Sequence, residues 1–142
     1  MKAKQLQEGR YVLVFDKGEE AIAGLTAFAR GHGLTSARIT AIGAFSDVKL
    51  GYFDRERHEY DEIPLAEQVE VLSLLGDVAL ERNEPRVHVH AVVGRADGTT
   101  RGGHLLEGHV WPTLEVILDS SPAHLRKRSD PETGLALIDP DL

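Results

Sequence analysis

The chain has 142 residues, 42% of them hydrophobic and 27% charged, with a formal net charge of −7. That length buries a core for a single domain, expected over residues 1–142, and that balance excludes a largely disordered polymer. The absence of cysteine removes disulfides, thiolate metal sites and cysteine nucleophiles together.

No apolar run approaches the ~20 residues of a membrane span. Met1 to Gln5 carries positive charge with no hydrophobic segment behind it, which does not read as a secretory signal, so a cytoplasmic location is expected. Arg10 to Phe15 is β-branched and aromatic and predicts a first strand. Asp16 and Glu19 form a capping-box-like pair ahead of a helix predicted from about Lys17 to His32. Its buried stripe would be Ile22, Leu25, Phe28 and Ala29, with Gly33 as the stop.

Ala37 to Phe45 predicts a strand in which small residues and Gly43 permit close backbone approach, and Asp47 to Phe53 predicts another. The charged segment Asp54 to Tyr60 reads as a hairpin end, and Glu62 to Leu65 as a short edge piece because Pro64 cannot donate to a central ladder. Glu67 to Leu75 alternates as a strand that Gly76-Asp77 is expected to break. Glu81 to Pro85 reads as a polar loop. Trp111-Pro112 is expected to interrupt the pattern before the apolar strand Thr113 to Asp119, and a last short apolar run covers Leu135 to Ile138. Many strands and one clear helix predict an α+β fold with a mainly antiparallel sheet.

The chemistry concentrates between Arg86 and His104. His88 and His90 lie two apart in a Val-rich run, so on a strand they share a face with Cα atoms about 6.6–7 Å apart. Ala96-Asp97-Gly98 reads as a three-residue hairpin loop, a type I turn closed by a left-handed glycine. Pairing Arg95 with Thr99 sets His104 directly across from His90, with Cβ atoms roughly 4.5–5.5 Å apart. A two-residue turn at Asp97-Gly98 would instead turn His104 to the other face unless a bulge at Gly102-Gly103 restored parity. A lone His-x-His is commonly satisfied by backbone hydrogen bonds. The third imidazole at the matching register favours a divalent metal on His88, His90 and His104, with Zn²⁺, Ni²⁺, Cu²⁺ or Fe²⁺ all suited to the donors.

The order of these pieces resembles the PPC domain, the plants-and-prokaryotes conserved domain that stands alone in prokaryotes and is fused to AT-hooks in plant nuclear proteins. The residues that carry the resemblance are Ala41 to Ser46, Val69 to Gly76, His88-Val89-His90, Gly102 to Gly108, Glu115-Val116-Ile117 and Asp130 to Leu135. It implies a curved, mainly antiparallel β-sheet packed on one main α-helix and assembled as a homotrimer. It also implies a bound metal, usually zinc, on His88, His90 and His104. Plant members typically lack these histidines.

Three functions are carried forward. The first is a metal-binding module with a regulatory or ligand-binding role. The second is a metal-dependent hydrolase or lyase whose open coordination position activates water. Glu107, His109 and Glu115 are then the candidate acid–base groups nearest in sequence, with Glu107 and His109 on the face opposite His104 under the inferred register. The third is direct DNA contact, for which the family label speaks. The acidic balance and the lack of an AT-hook speak against it, and Arg126-Lys127-Arg128 is the one dense basic cluster. No nucleophile elbow, phosphate loop or dinucleotide fingerprint is present.

Overall fold

The computed structural model describes residues 1–142. Its strands are β1 (Lys2–Gln7), β2 (Arg10–Phe15), β3 (Ser36–Asp54), β4 (Glu59–Leu65), β5 (Val69–Glu81), β6 (Glu84–Gly94), β7 (Thr100–Ser120), β8 (Arg126–Ser129) and β9 (Ala136–Asp139), with α1 (Ala21–Gly31) between β2 and β3. All pairings are antiparallel except the single contact of β5 with β8. No helix is long and apolar enough to cross a membrane.

The sheet is more than curved. β3 pairs with β5, β5 with β6, β6 with β7 and β7 again with β3, so four strands close into a ring. Side chains alternate between the inside and outside of that ring. Phe45, Leu50, Val71, Leu74, Val89, Ala91 and Leu105 point inward and are buried. The helix adds Leu25, Phe28 and Ala29 to the same core and lies against β6 and β7.

The helix begins later than its sequence predicts. Glu20, not Asp16, is the cap: its carboxylate accepts from Ile22 N at 3.0 Å and Ala23 N at 2.6 Å. Asp16 and Glu19 close the preceding turn instead, with the Asp16 amide donating to Glu19 Oε2 at 2.7 Å. Gly18 in that turn has φ +83°, a conformation that no helix continues.

Two expected breaks are absent. Gly76-Asp77 lies within β5, opposite Val89 and His88. A Cβ on Gly76 would sit 2.7 Å from Val89 Cα, so the glycine permits close approach of β6 and does not end the strand. Trp111-Pro112 lies within β7, where Val110 pairs with Phe45 and Leu114 with Gly43. The three intervening residues face one residue of β3, and this bulge accommodates the proline that lacks a ladder donor. The predicted strands over 37–45 and 47–53 are likewise one strand, β3, bent by register shifts around Gly43.

Candidate metal centre

The β6–β7 hairpin has the three-residue loop. Arg95 N–H donates to Thr99 O at 2.8 Å, Gly98 N–H donates to Arg95 O at 2.9 Å, and Gly98 has φ +80°. His90 therefore pairs directly with His104. Val89 and Ala91 occupy the core, so His88 and His90 between and before them project from the outer face of the ring.

One ring nitrogen from each of His88, His90 and His104 lies within 4.8 Å of the others. His88 Nε2 and His90 Nε2 are 3.2 Å apart. Two ligands on one tetrahedral zinc, each at about 2.0–2.1 Å, stand about 3.3 Å apart, so this spacing already suits a shared ion. The three rings enclose a common position, with centroids separated by 5.1, 5.2 and 5.5 Å.

Electrostatics favour the neutral form of two of the three imidazoles. Burial, followed by the neighbouring His88, His90 and Lys127, pushes His104 down to about 4. Partial desolvation of its ring by the neighbouring side chains, and then His88, lower His90, although the residue as a whole is exposed. Both rings are thus unprotonated at neutral pH, the form that ligates metal. His104 Nδ1 is buried with no hydrogen-bond partner, as is Asp77 Oδ1 beside His88. Orphaned polar atoms of this kind cost about 1–3 kcal/mol each. The donor set, its spacing and the unprotonated state of His90 and His104 fit a divalent transition metal.

Two neighbours of the cluster are not legible in the local sequence. Tyr60, from β4, lies against His104 with ring centroids 4.8 Å apart. Gly51 opposes His104 in the ladder, and a Cβ there would come 2.9 Å from Tyr60 Cδ1, so a glycine lets the tyrosine cross. Asp77 opposes His88 and places Oδ2 3.7 Å from its Nδ1.

The candidate acid–base residues make their polar contacts elsewhere. A register shift lies between the Lys49–Glu107 and Leu50–Leu105 pairs, so the parity that set Glu107 and His109 opposite His104 does not carry past Leu105. His109 Nδ1 instead meets Asp47 Oδ1 at 2.7 Å and its Nε2 lies 3.5 Å from Glu107. Glu115 lines an outer groove with Ile42 and Leu72. Within the basic triplet, Arg128 pairs with Asp139 at 2.9 Å and Arg126 donates to Asn83 at 2.8 Å.

The His109–Asp47 pair gives a pH expectation. Its hydrogen bond to Asp47 raises His109 above the ordinary 6.5, while the same bond lowers Asp47. The histidine's contribution to stability is therefore complete below about pH 6.5 and is lost as pH rises through its raised value. The aspartate's is present above its ordinary range and lost as pH falls through its lowered value. Imidazole NMR titration is expected to place His109 above 6.5, and Asp47→Asn to bring it back toward 6.5. An unshifted midpoint in the variant would contradict the assignment.

Similar folds carry related sequences. A plant- and prokaryote-conserved (PPC) protein from Pyrococcus horikoshii is 35% identical, with a TM-score of 0.86 over 92% of this chain and 90% of its own. A metal-containing protein from Archaeoglobus fulgidus is 34% identical, with a TM-score of 0.84 over 91% of both chains. A candidate DNA-binding protein from Bacteroides thetaiotaomicron is 26% identical, with a TM-score of 0.95 over 99% of this chain and 98% of its own. Among curated proteins, the bifunctional protein GlmU of Synechococcus sp. (strain JA-3-3Ab) is 32% identical over 127 residues, 87% of this chain. The chain spans only 19% of the length of that relative and of its counterpart from a second Synechococcus strain. The family model for the Plants and Prokaryotes Conserved (PCC) domain matches residues 3–122, and the chain belongs to that family.

Proposed function

We propose that the chain is a self-associating PCC-domain protein that binds one divalent metal, zinc, through His88, His90 and His104, and that it serves a regulatory or ligand-binding role. The observation that carries this reading is the convergence of three imidazole nitrogens within 4.8 Å on an outward face. The metal named for the Archaeoglobus relative supports it. Three protein donors leave a coordination position for water, a small ligand or a group from another subunit. The test is elemental analysis of untagged protein purified without added metal, with one equivalent per chain expected. Protein that stays metal-free after incubation with zinc at micromolar concentration would refute it.

Self-association is supported by the outer face. Ile42, Leu72 and Leu75 are 61%, 53% and 57% exposed, and with Ile117 they line one groove on the ring's exterior. Leu75 is also the ladder partner of His90, so this apolar surface runs up to the histidine cluster. Contiguous exposed apolar surface of this kind marks interaction sites. A homotrimer is expected by light scattering at micromolar concentration, and Leu75→Glu is expected to shift the mass toward monomer. A monomeric parent protein would refute the assembly.

The DNA-binding label belongs to the structural relatives. For this chain the net charge of −7 and the pairing of Arg128 with Asp139 leave little basic surface to neutralise phosphates, so the metal module is the better-supported reading.

A further inference from the structure

We infer that Asp77 is a positioning residue for the histidine cluster, holding His88 in the tautomer that carries its proton on Nδ1 and leaves Nε2 free to ligate. The inference rests on the metal reading for its purpose and on independent geometry for its substance. His88 has its two ring nitrogens committed in opposite directions. Nε2 faces His90 Nε2 at 3.2 Å, inside the cluster, while Nδ1 faces Asp77 Oδ2 at 3.7 Å, outside it.

The backbone enforces that arrangement. Asp77 and His88 are direct partners in the β5–β6 ladder, and their side chains leave the same face. Gly76 lets β5 come close to the His88–Val89 backbone, since a Cβ there would lie 2.7 Å from Val89 Cα. The carboxylate has no competing basic partner: its one ion-pair contact is His88, and its other oxygen, Oδ1, is buried without any hydrogen bond. His88 Nδ1 is the one basic side-chain atom within ion-pair reach of this carboxylate, and a closure of about 0.5 Å brings the pair into hydrogen-bond range.

Asp77 is not a fourth ligand. It stands on the Nδ1 side of His88, away from the Nε2 pair, and the group of convergent donor atoms contains the three histidines without it. Its action is on the ligand. An acceptor behind a metal-bound imidazole fixes its ring orientation and raises its basicity, and loss of such an acceptor typically weakens metal binding about 10–100-fold.

The experiment uses the full chain with Asp77→Ala and Asp77→Asn, and two readouts. Long-range ¹H–¹⁵N NMR of metal-free protein reports the His88 tautomer, and chelator competition with Zn²⁺ alone reports affinity. The expected parent spectrum shows His88 protonated on Nδ1. Asp77→Ala should give a mixed tautomer and about a 10–100-fold weaker zinc complex. Asp77→Asn, whose amide oxygen still accepts, should retain the tautomer and recover part of the affinity, and it serves alone if the alanine variant fails to fold. An Nε2-protonated His88 in the parent, or a tautomer unchanged in Asp77→Ala, would overturn the inference. If the parent failed to bind zinc while the tautomer still depended on Asp77, the metal reading would fall and the positioning role would stand.

Discussion

Replacing His90 with alanine is expected to abolish stoichiometric metal binding, lowering affinity by more than the roughly 100-fold that loss of an outer hydrogen-bond partner alone produces. His90 is the hinge of the cluster. It is two residues from His88 on one strand and directly opposite His104 on the next, so its imidazole is the shared neighbour of both. Its removal leaves two donors, and the 3.2 Å pair of nitrogens disappears with it. Because His90 is exposed, truncation costs little packing, and the folded fraction should be preserved. Zinc titration followed by elemental analysis checks the prediction, with circular dichroism as the control for folding. Full occupancy in the His88, His90 and His104 triple-alanine variant would show that the ion sits elsewhere.

Gly76→Ala is expected to be the most damaging single-methyl change near the cluster. The added Cβ would meet Val89 Cα at 2.7 Å, and the adjacent His88 carbonyl oxygen more closely still, both on the facing strand. Backbone cannot move aside as a flexible side chain can, so β5 and β6 must separate. Over-packing of this kind costs about 1–3 kcal/mol, and backbone-on-backbone contact lies at the upper end. A loss of about 3 kcal/mol corresponds to a melting temperature lower by about 10 °C. The separation would also carry His88 away from Asp77. Gly31→Ala provides the contrast: it ends α1, nothing lies within 4 Å of its added Cβ, and its effect should be neutral or slightly stabilising. Equal melting temperatures for the two variants would refute the close-approach argument.

These two variants also mark where the sequence was readable. The hairpin that presents His104 was legible because its information is local: Arg95, Gly98 and Thr99 set the loop, and alternation carried the register five rungs to His90 and His104. The helix stripe is legible for the same reason: Leu25, Phe28 and Ala29 are buried as their spacing predicts, whereas Ile22 is only partly buried and Ala21 fills the first buried position instead. Gly76-Asp77 was misread because a glycine in a strand looks like a break, and only the facing strand shows that it permits an approach. Pro112 was misread similarly, its missing donor being absorbed by a bulge against β3. Strand β1 has no signature in the sequence because Lys2 to Gln7 is exposed throughout and lacks apolar alternation. Tyr60 and Asp77 reach the histidines from strands whose pairing no local pattern specifies, and closure of the ring depends on the same distant registers.

The rims of the sheet bear on how copies can meet. Strand β1 is exposed at every residue and carries Lys2 and Lys4, while β4 pairs only with β3 and carries Glu59, Asp61, Glu62 and the donorless Pro64. Such rims are poor templates for recruiting a foreign strand, since charge repels a copy of itself and proline withholds a rung. Ring closure also removes β6 from the set of free edges, covering the histidine strand on both sides. Main-chain recruitment through β1 or β4 is therefore disfavoured, which leaves the four-residue β9 as the other free edge of the sheet. The self-association proposed above would then rest on side-chain contacts of a bounded surface, where shape can limit the number of partners.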